Sequence, residues 1–275
     1  MSVQQTLSAV DRPPAPARPW TGPRIAGSIL VGLWALAGIG LVYYLISVWN
    51  PELFDKYFPL YMQGLWVTTQ LVFFSIVLGA LLSVPVTYAR MSKNRALQAI
   101  SYGYVYFFRG TPLIAQTFLI YYGLGSLKGP LEAVGLWGFF REAWYCAILA
   151  FTLNTAAYQA EILRGAIESV SKGQWEGAAA LGLSKWQTMI KIVLPQALIV
   201  ALRPYGNEIV LMVKGSAVAA LITVFDLMGE TRRAYSRSFD FQTYIWAGVI
   251  YLAIVELLRH LVDWIERVIT KHLIR

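Results

Sequence analysis

Cysteine, charge and nucleotide-binding motifs are what this sequence has least of. Cys146 is the one cysteine in 275 residues, so no intrachain disulfide can form, and its apolar neighbours give no support to a metal site. Asp, Glu, Lys and Arg make up 14% of the chain, against about 25% in a typical soluble domain, which excludes an ordinary water-soluble globule. No G-x-x-x-x-G-K-S/T loop occurs, so no ATP hydrolysis is expected of this chain itself. Nor does any segment show the period-2 alternation of an outer-membrane barrel strand.

What is present is apolar: 57% hydrophobic residues, mean hydropathy +0.53, and a net charge of +8. A basic chain can point to nucleic acid, but here Lys and Arg sit at the ends of apolar runs, where membrane topology puts them. Residues 1–24 hold Pro13, Pro14, Pro16, Pro19 and Pro23, which predicts an irregular tail. The run 25–48 is longer than the core of a signal peptide and long enough to cross a bilayer, which takes about 20 residues. Further apolar segments at 62–89, 100–124, 143–163, 204–225 and 242–264 complete six expected spans. Their backbone polar groups must be satisfied internally, so the fold class is an all-α polytopic membrane protein. The tail, the 90–99 loop, the 164–191 loop and the C-terminal end carry most of the Lys and Arg and fall on one side, which predicts both termini in the cytoplasm. Arg232, Arg233 and Arg237 fall on the other side, against that rule.

The loop 168–194 reads as two short helices. Ser171 with Gln174, and Ser184 with Gln187, have capping-box spacing; Gly182 supplies a left-handed stop, and Pro195 is expected to mark a bend. Trp175, Ala178, Ala179 and Gly182 recur at roughly helical spacing beside Glu176 and Lys172. Such a face suits a cleft on a partner protein; packing on the chain's own bundle is the alternative.

The residues Glu176-Gly177-Ala178-Ala179-Ala180-Leu181-Gly182, followed by Ile190 and Leu194-Pro195, resemble the EAA motif of ABC importer permeases. Gly177 departs from the usual alanine, a swap that weakens a helix by roughly 1 kcal/mol but keeps the surface small. Phe108 to Leu113 with Gln116, Thr152 to Tyr158 with Glu161 to Ile167, and Asn207-Glu208 are similar to signatures of the polar amino acid branch, especially permeases for histidine, lysine, arginine, ornithine and opines. The resemblance covers about 60–270. It implies a type I importer transmembrane fold of five core helices, to which 25–48 adds one accessory helix. It also implies a bacterial inner-membrane permease working by alternating access, with a second permease subunit, a cytoplasmic ATPase dimer that binds ATP and Mg, and an extracytoplasmic substrate-binding protein. Glu176, Gly177, Ala178, Ala179, Leu181, Gly182 and Leu183 would then form the helix gripped by the ATPase. This chain would hold no cofactor.

A charged side chain in mid-membrane costs at least about 2.5–3.5 kcal/mol, so each one calls for a reason. Glu208 follows Pro204 and Gly206 and precedes an apolar run; its carboxylate suits the ammonium or guanidinium of a cationic amino acid, or else an ion pair with Lys214 or a neighbouring arginine. Asn207 and Ser216 lie close by, and Gly215 stands where many relatives of the resembled family carry Asp. Asn154, Thr155, Tyr158 and Glu161 can share one helix face, lining a pathway or bonding between helices, with Glu161 pairing to Arg164. Arg109, Gly110 and Pro112 are expected to shape a bent helix, with Arg109 tied to carbonyls or a carboxylate. A self-sufficient secondary transporter, ion-coupled through Glu208 or Glu161, is the competing function.

Overall fold

The computed structural model describes residues 21–271, so most of the expected tail at 1–24 lies outside the described residues. The chain divides into two units, Met1–Pro51 and Glu52–Arg275. In the first, helix α1 (Gly22–Ser47) has Pro23 in its first turn, where a missing N–H costs nothing. It is apolar all round and buries no residue within the chain.

The second unit begins with α2 (Pro51–Arg90), which starts eleven residues before the expected span at 62. The extension exists because Leu53, Phe54, Tyr57 and Tyr61 pack against Trp246, Ala247 and Leu227. Its buried residues, Tyr57, Tyr61, Gly64, Thr68, Leu71, Ser75, Gly79, Ser83 and Thr87 among them, recur every three or four positions and form one stripe. Most are small, which lets other helices approach closely. Helix α3 (Arg95–Gly110) is capped by Asn94, whose side chain accepts from the N–H of Ala96 at 2.9 Å. It stops because Thr111 precedes a proline and is forced into an extended conformation. The unbroken span expected at 100–124 is therefore two pieces, α3 and then α4 (Leu113–Phe118) with a π turn at Leu119–Leu124.

Two short helices, α5 (Lys128–Ala133) and α6 (Trp137–Phe140), lead to α7 (Ala143–Glu168), the centre of the bundle. Helices α8 (Lys172–Ala180) and α9 (Lys185–Thr188) follow, as the capping pattern predicts in part. Both bonds of the Ser184–Gln187 capping box form, whereas Ser171 gives no side-chain cap and offers only its carbonyl to Gln174 N–H. Gly182, at φ +73°, closes α8 with its own N–H on Ala179 O and that of Leu183 on Ala178 O.

The chain does not leave the helix at Pro195. The chain is helical from Lys185 to Ile222, through a π turn at Met189–Val193, α10 (Leu194–Gly215) and a 3-10 segment at Ser216–Ile222. The π turn already breaks the regular bonding one residue before α10, so proline's missing N–H falls where it is tolerated. Helix α11 (Leu227–Ser238), capped by Asp226, and α12 (Gln242–Thr270) complete the chain.

Among the described residues four helices are long and apolar enough to span a membrane by composition: 22–47, 51–90, 185–222 and 242–270. The two other expected spans are the interrupted α3–α4 pair and α7, whose buried side is rich in Asn, Thr and Gln. Within the second unit the apolar core falls into three clusters. One, around Tyr61, Leu227 and Trp246, joins α2, α11 and α12. The central one joins Leu71, Ala147, Phe151 and Met212. The third, Leu163, Ile167, Val193 and Ala197, joins α7 to the α9–α10 region.

Candidate functional site: a buried polar cluster and an exposed helix pair

The polar side chains of α7 are shared out among four neighbours. Asn154 Nδ2 donates to Phe108 O and to Gln116 Oε1, both at 3.0 Å. Gln116 in turn donates to Phe108 O, Thr111 O and Thr111 Oγ1, so the carbonyls freed by the α3–α4 break are satisfied inside the bundle. Thr155 Oγ1 donates to Glu208 Oε1 on α10 at 2.8 Å. Tyr158 receives the Arg109 guanidinium over its ring at 5.2 Å and donates its hydroxyl to Arg109 O.

Glu161 is the electrostatic hub. It accepts from Arg90 Nε at 2.9 Å and from Arg164 Nη2 at 2.8 Å, and Arg109 Nη1 lies 3.9 Å away. The expected pair with Arg164 is present, and Arg109 does meet a carboxylate. Arg90, supplied by α2, and Gln159, whose Nε2 donates to Thr155 Oγ1 at 3.1 Å, are members that sequence reasoning missed; Gln116, singled out with the Phe108–Leu113 motif, does join the cluster.

Glu208 is 5% exposed, and its Oε1 accepts from the hydroxyl of Thr155. Neither expected ion pair forms: Lys214 is exposed and lines a separate groove between α10 and α12 with Arg203, Asn207 and Arg259. Asn207 is thereby parted from Glu208, because consecutive residues of a helix point about 100° apart. Ser216 is buried too, but its hydroxyl donates to Val213 O in its own helix. Of the sequence-nominated pathway residues, Thr155 meets Glu208, while Asn154 turns to Phe108 and Gln116, Tyr158 to Arg109, and Asn207 and Ser216 lie apart from them. A cavity of about 420 Å³ opens one turn from Glu208, lined by Arg109, Tyr158, Glu161, Val200 and Pro204 among others.

The spacing at this site depends on Gly79. A Cβ there would stand 2.5 Å from Thr155 Cγ2 and 2.9 Å from Gln159 Nε2. Gly79→Val should push Thr155 off Glu208 and destabilise the protein by about 1–3 kcal/mol. A melting temperature unchanged in detergent would contradict this close fit.

The second feature is the α8–α9 pair. Ala178 is buried, and Trp175 packs on the cluster of Leu163, Ile167 and Val193. The expected outward face built on Trp175 and Ala178 therefore turns inward, as the aromatic ring gains more from the bundle than from water. The surface left outside comprises Glu176, Gly177, Ala179, Gly182, and above all Leu181 at 79% and Trp186 at 73% exposure, with Leu183 half-buried.

Comparison with known proteins bears on both features. The sequence profile of the family described as "Binding-protein-dependent transport system inner membrane component" matches residues 75–275. The chain is 44% identical over 223 residues to the nopaline transport system permease protein NocM of Agrobacterium fabrum, covering 81% of this chain and 92% of that one. It is 38% identical over 216 residues to the arginine ABC transporter permease protein ArtM of Haemophilus influenzae, covering 78% and 94%. A crystal structure of an amino acid ABC transporter with histidines superposes with a TM-score of 0.71 at 30% identity, over 80% of this chain and 99% of that one.

Proposed function

Because the chain belongs to the family of binding-protein-dependent transport system inner membrane components, we propose that it is the permease subunit of an ATP-driven importer for basic or opine-type amino acids. It is a multi-pass inner-membrane transport subunit and not an enzyme. Its partners in this reading are a second permease, most simply a different chain, an ATPase dimer that binds ATP and Mg, and an extracytoplasmic binding protein. Both termini and the α8–α9 pair lie in the cytoplasm, with α5, α6 and α11 on the opposite side.

The observation that carries the substrate class is the Glu208 carboxylate: buried, held by the Thr155 hydroxyl, and in no ion pair among the described residues. A lone carboxylate is costly at that depth unless a cation visits it. The guanidinium of an arginine-derived solute fits that need and is what the named relatives transport in common chemistry. Glu208 is closed off in this arrangement, so substrate reaches it only when α7 and α10 part. Movement passed from the ATPase through α8 and α9 into α10, with which α9 is continuous, supplies that parting in an alternating-access cycle.

The test is uptake of labelled arginine by membranes containing the complex, with and without Glu208→Gln. Charged hydrogen bonds contribute about 1.5–3 kcal/mol, so uptake at subsaturating arginine should fall by roughly 10- to 100-fold while the ATPase still co-purifies. Uptake unaffected by the change would remove Glu208 from the pathway. Ion-driven uptake by the chain alone in liposomes would replace the importer with a secondary transporter.

A further inference from the structure

Helix α11 runs against the charge rule that orients the rest of the chain. Arg232, Arg233 and Arg237 lie within six residues of one another in a segment assigned to the translocated side. The segment also carries Asp226, Glu230 and Asp240, so its formal charge is balanced, but the structure separates the signs. Asp226 is fully buried and its Oδ1 accepts from Gly229 N–H at 2.8 Å as the helix cap. Glu230 is buried on the face that holds Thr231 and Ala234. Asp240 Oδ1 accepts from Gln242 N–H at the start of α12. Arg232 and Arg237 are exposed and Arg233 is partly so. Asp226 and Glu230 thus look into the protein, Asp240 is half-buried, Arg232 and Arg237 look out, and Arg233 pairs with Glu230.

The arginines are arranged around a hollow. Arg232 Nη1 donates to Ala220 O at 3.1 Å, which holds its stem against the 3-10 segment. The Arg233 guanidinium stands 5.5 Å over the Phe225 ring and within 3.4 Å of Glu230 Oε1. Between them opens a cavity of about 500 Å³ whose wall includes Thr223, Tyr235 and Tyr244. Phe225 on its wall is 54% exposed, and Phe239 and Phe241, in ring contact with the wall residues Tyr235 and Tyr244, are exposed as well. The turns at either end of α11 are held in left-handed backbone by Thr223 at φ +67° and Phe239 at φ +53°, neither of them glycine. Strain of that kind persists where the surrounding structure fixes a loop for a task.

We infer that the arginine face of α11 is a docking surface for an acidic patch on the soluble binding protein. This rests on the importer reading and on its assignment of α11 to the extracytoplasmic side. Arginine and aromatic residues are the types enriched at the energetic centres of protein interfaces. A one-signed surface beside exposed rings selects a partner of opposite charge and speeds its arrival. Asp226 and Glu230, being buried, present no exposed negative charge to such a partner.

The experiment uses the purified complex with its ATPase in nanodiscs of zwitterionic lipid, titrated with a binding protein that stimulates the wild-type complex. Arg232→Glu/Arg233→Glu/Arg237→Glu should raise the binding-protein concentration for half-maximal stimulation by about 10-fold or more at low salt. The difference should shrink at about 0.5 M salt, where charges are screened within a few ångströms. Basal ATPase activity and the ratio of permease to ATPase should not change. Since Arg232 and Arg233 also have contacts within the fold, Arg237→Glu alone, whose side chain is exposed, is the second variant, with a several-fold shift expected. Titrations that coincide for wild type and both variants overturn the inference and leave the importer reading intact. A shift seen only in anionic lipid overturns it in favour of lipid headgroups. A wild-type complex that retains no ATPase would instead overturn the importer reading.

Discussion

Replacing Glu161 with glutamine should cost most of the folded protein. Its side chain is 14% exposed and sits among Arg90 at 2.9 Å, Arg164 at 2.8 Å and Arg109 at 3.9 Å. With the carboxylate gone, three guanidiniums from α2, α3 and α7 face one another with a single neighbouring acid, Glu168 on Arg164. Removing one partner of a buried charged network costs about 3–5 kcal/mol, a large part of the roughly 5–15 kcal/mol that holds a domain together. At about 2–4 °C per kcal/mol for a domain of this size, the expected loss in melting temperature is roughly 6–20 °C, with a matching fall in membrane yield. Glu161→Asp keeps the charge and should lie between the two. A glutamine variant that melts within a degree or two of wild type would show that the arginines find water instead, and that the hub is not structural.

The same residue shows where the sequence was legible. Glu161 and Arg164 are three apart on one helix, so their pairing follows from helical geometry alone. Arg90 reaches the same carboxylate from 71 residues away, and no local pattern encodes that meeting. The apolar runs were plain because each must be long enough for a bilayer, and the capping box at Ser184 was plain because it is a contact between residues three apart. Trp175 was left open between a partner cleft and the chain's own bundle, because periodicity marks a face without saying which of them lies against it, and the bundle holds it. Asn207 was grouped with Glu208 by adjacency in sequence, which in a helix separates side chains rather than joining them. The break at Thr111-Pro112 was readable in proline chemistry, yet apolar content carried the expected span across it.

The largest functional effect is expected at Leu181. Together with Trp186 it stands exposed on the α8–α9 pair, a segment the proposed topology places in water. Large apolar side chains left open in one short segment call for a partner to cover them, and covering one leucine contributes about 1.5–3 kcal/mol. Leu181→Asp would put a carboxylate into that contact and remove the apolar burial together. The ATPase should then be lost from the purified complex, with uptake reduced at least about 100-fold, while the melting temperature of the permease stays put because Leu181 buries little within it. Gly182→Ala tests the same helix by another route: it leaves the surface alone but strains the left-handed turn at φ +73° by about 1–2 kcal/mol, so a smaller loss of ATPase binding is expected. Glu176→Lys reverses a charge on the same exposed helix and should fall between them. If Leu181→Asp keeps its ATPase and its uptake, the exposed tip is not the grip, and the force that parts α7 from α10 must enter the bundle elsewhere.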